Sequence, residues 1–241
     1  MGVSSRVNAK CPGFYFGAGP TVLPDEVHQA FANSYVSVGS CRLKLYELSH
    51  RHPVAIDRVQ GILRQLRHLL TIPEDYEVLL CSGGARHQYE LVASNFAKHK
   101  REIGLSGAWS RVWCETMQSI KPDLVNIQNL MDQDLSIFLN NQAGHEGLRC
   151  VVTNETVDGI MLSHPHEYQA GLIADVTSDL GFRFVPIDRY AMLFAATGKA
   201  FGVSGMTIVI IKKDFLQQAD QQQPVLQSYR AMAMHQSMYA T

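Results

Sequence analysis

The sequence predicts an α/β domain whose mixed, mostly parallel sheet is flanked by helices. Three observations carry this: short continuous apolar runs of the kind buried on both faces of a sheet, an amphipathic segment ahead of the first run, and a glycine turn that joins a strand-like stretch to a helix-like one. The 241 residues suffice for one to two domains and for a core that needs no metal or disulfide.

Between Val54 and Leu70 the apolar residues Val54, Ile56, Val59, Ile62, Leu63, Leu66, Leu69 and Leu70 recur at intervals near three and four. That spacing predicts an amphipathic helix, which Thr71-Ile72-Pro73 ends. Val78–Cys81 follows as a strand buried on both faces, Gly83-Gly84 turns the chain, and helical spacing returns from Gln88 to Phe96. Further strands are expected at Cys150–Val152, Leu172–Ala174, Met192–Ala195 and Met206–Ile211. The last two are too close for a crossover helix, so they are expected to pair as antiparallel neighbours. The Gln-rich stretch 216–224 reads as a surface helix or a linker leaving the domain.

Lys plus Arg (21) nearly cancels Asp plus Glu (22), which argues against a nucleic-acid or membrane-surface partner, since both usually need excess positive charge. The five cysteines, Cys11, Cys41, Cys81, Cys114 and Cys150, are odd in number and widely spaced. They spell neither a disulfide framework nor a zinc motif, so a reducing, cytoplasmic setting is expected. The first residues lack the apolar stretch of a signal peptide, and a soluble protein is expected. His50-Arg51-His52 and His164-Pro165-His166 each set two histidines two apart, but no carboxylate or cysteine run completes a ligand set, and no metal is expected. Ser204 fails the spacing of a nucleophile elbow, so a hydrolase is set aside.

Four features carry chemistry. Cys81–Gln88 is a glycine turn between strand and helix, which offers backbone N–H groups to an anion. Trp109, in a Gly-Ala-Trp-Ser stretch, supplies a flat aromatic face. Asp175 follows an apolar run and is expected at a strand's carboxyl end, where ligands of α/β sheets bind and where a carboxylate can hold a cationic ring nitrogen. Lys199 lies just beyond another apolar strand, among small residues that suit an amine forming a Schiff base. Each alone has a plainer reading as a cap, a core residue or a surface charge. Together, in this order, they match what pyridoxal phosphate requires: an anion cradle, a ring stack, a pyridinium partner and an amine.

The segments Phe16–Pro24, Glu47–Arg51, Leu70–Tyr76, Ser82–Ala85, Gly107–Ser110, Thr153–Gly159 and Ala174–Asp179 resemble those of phosphoserine aminotransferase, a class V, fold-type-I family dependent on pyridoxal 5'-phosphate. The resemblance runs from about residue 14 to Thr241. It implies a fold-type-I large domain over residues 25–216, an N-terminal arm over 1–24, and a connector over 217–241 toward a small C-terminal domain that is expected to be absent from this chain. It implies that Lys199 bears the cofactor as a Schiff base, Asp175 pairs with the pyridine nitrogen, Trp109 stacks on the ring, and Thr156 bonds the ring hydroxyl. Ala85 and Arg86 would cradle the phosphate, and Thr241 would reach the phosphate of a neighbouring subunit. His50 and Arg51 match residues that reach a substrate phosphate across a homodimer interface.

The implied reaction moves an amino group from L-glutamate to 3-phosphooxypyruvate, giving O-phospho-L-serine and 2-oxoglutarate. Two departures stand against it. The family's Gln-Lys-Asn is here Gly198-Lys199-Ala200, and its Asn-Thr is Ala240-Thr241. They motivate a rival expectation, a degenerate homologue that keeps the fold, with or without the cofactor, but serves as a binding or partner protein with little turnover.

Overall fold

The computed structural model describes residues 19–130, 138 and 147–238. Helix α1 (Asp25–Ala32) and the hairpin of β1 (Tyr35–Val38) and β2 (Cys41–Lys44) come first, and none of their residues is buried. Helix α2 (Pro53–Leu69) starts on a proline, whose missing N–H costs nothing at a helix start. His52 caps it, with Nδ1 accepting from the Val54 N–H at 3.2 Å. Strand β3 (Tyr76–Ser82) leads through Gly83, at φ 91°, into α3 (Ala85–Asn95). Then come β4 (Arg101–Leu105), α4 (Ala108–Ile120), β5 (Val125–Asn129) and β6 (Leu148–Val152). A small hairpin, β7 (Asn154–Glu155) and β8 (Ile160–Met161), precedes β9 (Gln169–Asp175), β10 (Tyr190–Ala196) and β11 (Met206–Lys212). Helices α5 (Lys213–Leu216) and α6 (Tyr229–Met234) follow.

Seven strands form one sheet in the order β3-β11-β10-β9-β6-β4-β5. Strand β11 runs antiparallel to both its neighbours and every other pairing is parallel, so the remaining six strands point the same way. The expected antiparallel pairing of the last two strands is what the structure shows, with Phe194 opposite Val209.

Alternation along the strands feeds two cores. Leu79, Cys81, Ile173, Val209 and Ile211 face Leu91, Trp113, Met117 and Met232 from the helices on one side. Val78, Leu80, Leu172, Ala174, Ile208 and Ile210 face Leu66, Val185 and Ile187 on the other. Burial on both faces explains why these strands read as continuous apolar runs rather than as alternating ones. The carbonyls at the end of α3 are satisfied by a buried arginine: Arg101 donates to the Ala93 and Phe96 oxygens at 2.7 and 2.9 Å.

The Gln-rich stretch is mostly turn, with Ala219 buried. It bridges two parts of one core, because α6 beyond it packs Tyr229 and Met232 against the sheet, where Cys81 Sγ lies 3.3 Å from Met232 Sδ. Its polar composition reflects an exposed path rather than an exit from the domain. Met232→Ala should therefore cost about 2–5 kcal/mol in urea unfolding, whereas Leu226→Ala, at a side chain 60% exposed, should change stability by less than about 0.5 kcal/mol.

Candidate active site

Because six strands share a direction, their carboxyl ends open on one edge, and a cavity of about 310 Å³ lies there. It is lined by Ala85 and Arg86 at the start of α3, Trp109 at the start of α4, Thr156 after β7, Asp175 at the end of β9 and Lys199 after β10. Six of the residues singled out in the sequence thus meet in one place. Gly84, Tyr89, Val152, Asn154, Thr177 and Ser178 complete the wall. The volume sits at the lower end of the roughly 300–1,000 Å³ usual for ligand pockets.

The two helices that start at this edge differ. The N-terminus of α4 is closed by acids of the β7–β8 hairpin: Glu155 accepts from the Trp109 and Ser110 N–H groups at 2.7 and 2.8 Å, and Asp158 from the Ala108 N–H at 2.7 Å. Ser110 Oγ in turn accepts from the Ser106 and Gly107 N–H groups at 2.9 Å. Helix α3 begins on Gly84, and no side chain caps it. Its first N–H groups face the cavity wall with the dipole behind them, so an anion fits at α3 and not at α4.

Trp109 is half-buried, and its indole N–H donates to Thr156 Oγ1 at 3.0 Å. That bond fixes the ring plane and leaves the Thr156 O–H as a donor toward a ligand oxygen. The Arg86 guanidinium lies 5.7 Å from the centre of the indole ring, within cation–π range.

Asp175 is buried, and burial pushes its carboxyl above the usual range. Its hydrogen bonds come from neutral donors: the Tyr89 hydroxyl to Oδ2 at 2.7 Å, the Thr177 N–H to Oδ1 at 2.9 Å and the Thr177 hydroxyl. A buried carboxylate with such donors suits a cationic N–H as partner.

Lys199 sits in the turn between β10 and β11, where the Gly198 carbonyl accepts from the Thr21 N–H at 2.8 Å. The lysine amine lies so near the chain at Gly19 that a β-carbon there would stand 2.9 Å from Nζ. Gly198 is hemmed in too: a β-carbon on it would come within 2.4 Å of Ser204 Oγ. The space that a side chain at 198 would enter is taken by Ser204.

Not every expected residue joins the cavity. His50 and Arg51 lie in the turn before α2 and do not line it, and the Arg51 N–H is held by Ser49 Oγ at 3.2 Å. Thr241 and Cys11 lie outside the described residues. The paired histidines serve the fold: His52 caps α2, and His164 Nδ1 meets the Tyr190 hydroxyl at 2.7 Å. Sequence reasoning missed Tyr89, which lines the cavity, and Glu155, which carries the turn bearing Trp109. Glu155 stood beside Thr156 in the quoted Thr153–Gly159 segment, and a glutamate next to a strand end is a signal only when its burial is known.

One reversed strand among six aligned ones, with a ligand-sized cavity at their carboxyl edge, is the architecture of the large domain of fold-type-I transferases. The chain belongs to the class-V aminotransferase family, whose Aminotransferase class-V model matches residues 13–240. It is 31% identical over 238 residues to the phosphoserine aminotransferase of Ruthia magnifica subsp. Calyptogena magnifica, covering 95% of this chain and 65% of the relative. The phosphoserine aminotransferase of Coxiella burnetii (strain RSA 331 / Henzerling II) is 30% identical over 231 residues, covering 92% and 62%. Among solved structures, a phosphoserine aminotransferase studied for radiation damage of its Schiff base superposes with a TM-score of 0.81 at 27% identity, covering 94% of this chain and 64% of that one. The pyridoxal-phosphate-bound enzyme from Trichomonas vaginalis gives 0.79 at 24%, with 94% and 65% covered, a likeness of fold. The chain thus spans about 65% of the length of the curated relatives it matches. No helix among the described residues is long and apolar enough to cross a membrane.

Replacing Glu155 with alanine should strip acceptors from the first turn of α4. Each charge-assisted bond lost costs about 1.5–3 kcal/mol, so Glu155→Ala should lower the urea midpoint sharply. Tryptophan fluorescence should shift to the red as Trp109 loosens, while Glu115→Ala, on the same helix and exposed, should do neither.

Proposed function

We propose that this chain is the cofactor-binding large domain of a pyridoxal 5'-phosphate-dependent aminotransferase of the phosphoserine type. One observation carries the reading: an uncapped helix start, a flat aromatic, a buried carboxylate with neutral donors and a lysine surround a single cavity of ligand size. The residues fit the group. The Ala85 and Arg86 N–H groups would hold its phosphate, Trp109 would stack on its ring, Thr156 would donate to its hydroxyl, Asp175 would pair with its ring nitrogen, and Lys199 would bear it. When bound there, the cofactor supplies the electron sink for a carbanion at the substrate Cα.

Lys199, as a free amine, would be the general base that takes the proton from the substrate Cα and the general acid that gives it back. Asp175 stays ionised opposite the ring nitrogen, and Trp109 keeps water from one face. The substrates we assign are L-glutamate and 3-phosphooxypyruvate, giving 2-oxoglutarate and O-phospho-L-serine. His50 and Arg51, which do not line the cavity of their own chain, would bind the substrate phosphate, and Thr241 the cofactor phosphate, each from the neighbouring subunit of a homodimer. Residues 1–24 are assigned as an arm and 25–216 as the large domain, to whose core Ala219, Tyr229 and Met232 still belong, so that a lead into a small domain would start only after α6. The four described cysteines are free thiols, which supports a reducing, cytoplasmic setting.

Purified protein treated with pyridoxal phosphate and then borohydride should carry the pyridoxyl group on Lys199, read by peptide mass. Lys199→Ala should abolish it. Labelling confined to Lys212 or Lys213, or none at all, would remove the proposal.

A second reading, cofactor binding with little turnover, is favoured by Gly198 itself, which offers no side chain to hold the phosphate and lies against Ser204 Oγ. Loose seating of reactants by even about 1 Å costs roughly a hundredfold in rate. Amino transfer from phosphoserine to 2-oxoglutarate by this chain should therefore run about a hundredfold or more below that of a phosphoserine aminotransferase assayed beside it. A comparable kcat would retire the second reading.

A further inference from the structure

Tyr89 belongs to none of the roles assigned above, yet its hydroxyl donates to Asp175, beside the N–H and the hydroxyl of Thr177. The ring is 1% exposed. It stacks on Trp113 with centroids 4.7 Å apart and planes 8° from parallel, and meets the edge of Phe194 at 6.0 Å. Two aromatic neighbours on α4 and β10 therefore leave the hydroxyl one place to point. Burial holds this phenol well above its usual pKa, so it remains a donor at every working pH.

The carboxylate it faces is under opposing demands. Burial and the charge of Glu155 favour the protonated form of Asp175, while the bonds from Tyr89 and Thr177 favour the ionised form. Arg86 and Lys199 line the same cavity, and Arg86 also acts on Tyr89. Thr177 is itself tied down, its Oγ1 accepting from the Ala196 N–H at 3.2 Å. A neutral acid would present a donor or a weak acceptor to an incoming ring N–H, and a carboxylate presents a strong acceptor.

We propose that Tyr89 is a positioning residue that keeps Asp175 ionised and turned toward the cavity, ready for the cationic ring nitrogen of a pyridinium ligand. The ligand's identity rests on the function proposed above. The bond between Tyr89 and Asp175 does not, so the two can fail separately.

The test substitutes Tyr89→Phe, which preserves the stacked ring and removes only the donor. In the cofactor-free protein labelled with carboxyl-¹³C aspartate, with the Asp175 signal assigned through Asp175→Asn, the titration midpoint of Asp175 should rise by about one pH unit. The unaltered protein gives a second reading of the same bond, because exchange of the Tyr89 hydroxyl proton for deuterium should shift the Asp175 carboxyl carbon. For the loaded protein, Tyr89→Phe should weaken pyridoxal phosphate about tenfold at neutral pH. It should leave unchanged the affinity for an analogue whose ring nitrogen is replaced by carbon. An unmoved midpoint together with no isotope shift would overturn the proposal, and so would equal losses for cofactor and analogue, which mark a merely structural residue. If neither protein takes up pyridoxal phosphate, the proposed function falls while the titration still decides the role of Tyr89.

Discussion

Six strands with a common direction and one reversed strand set the terms for everything else in this molecule. Parallel strands need connections that pass over the sheet faces, and those connections bury both faces. The edges left open are then the strand ends, and the carboxyl ends of β3, β4, β6, β9 and β10 all lead into residues that reach the cavity or position its walls. Strand β11 contributes by running the other way. It returns the chain in a tight turn from β10, and Lys199 stands in that turn.

Three buried carboxylates near this edge show how differently one charge can be accommodated. Glu155 is met by the N–H groups of a helix start, and Asp179 by Arg183 at 2.7 Å and by the Thr153 hydroxyl. Asp175 has the Tyr89 hydroxyl and the Thr177 N–H, with no charge in either bond. Burial holds its carboxyl above the ordinary range. The sign follows: a carboxyl whose folded pKa is raised favours the fold while protonated, and that contribution is lost as pH rises through the folded pKa. At neutral pH the ionised Asp175 therefore costs stability, and the charge is kept for what enters the cavity.

The fold was legible where burial on both faces wrote continuous apolar runs, as at Val78–Cys81 and Met206–Ile211. Strands β4 and β5 were not, for two physical reasons. β4 opens with Arg101 and Glu102, buried charges that hide an interior strand from any apolar count, and β5 is an edge strand with three of its five residues exposed. Helix α3 begins at Ala85, three residues ahead of its apolar period, because its first turn borders a cavity and sets only Ala85 against the core. In the site, Asp175 and Lys199 were readable from their places just past apolar runs. Tyr89 was not, since it lies on the same helix face as ordinary core residues and only its distance to Asp175 separates it from them.

The contact between Gly198 and Ser204 bears on the routes open to this chain as it changes. A larger residue at 198 arrives against a hydroxyl already in place, so the serine side chain must turn aside to admit it, and a smaller residue at 204 eases the step. The two positions form one mutational unit in which the order of events matters. Neutral drift at an exposed serine then eases or hinders the way to a side chain beside Lys199, and a chain that has fixed the serine is biased toward its own branch by six residues of loop.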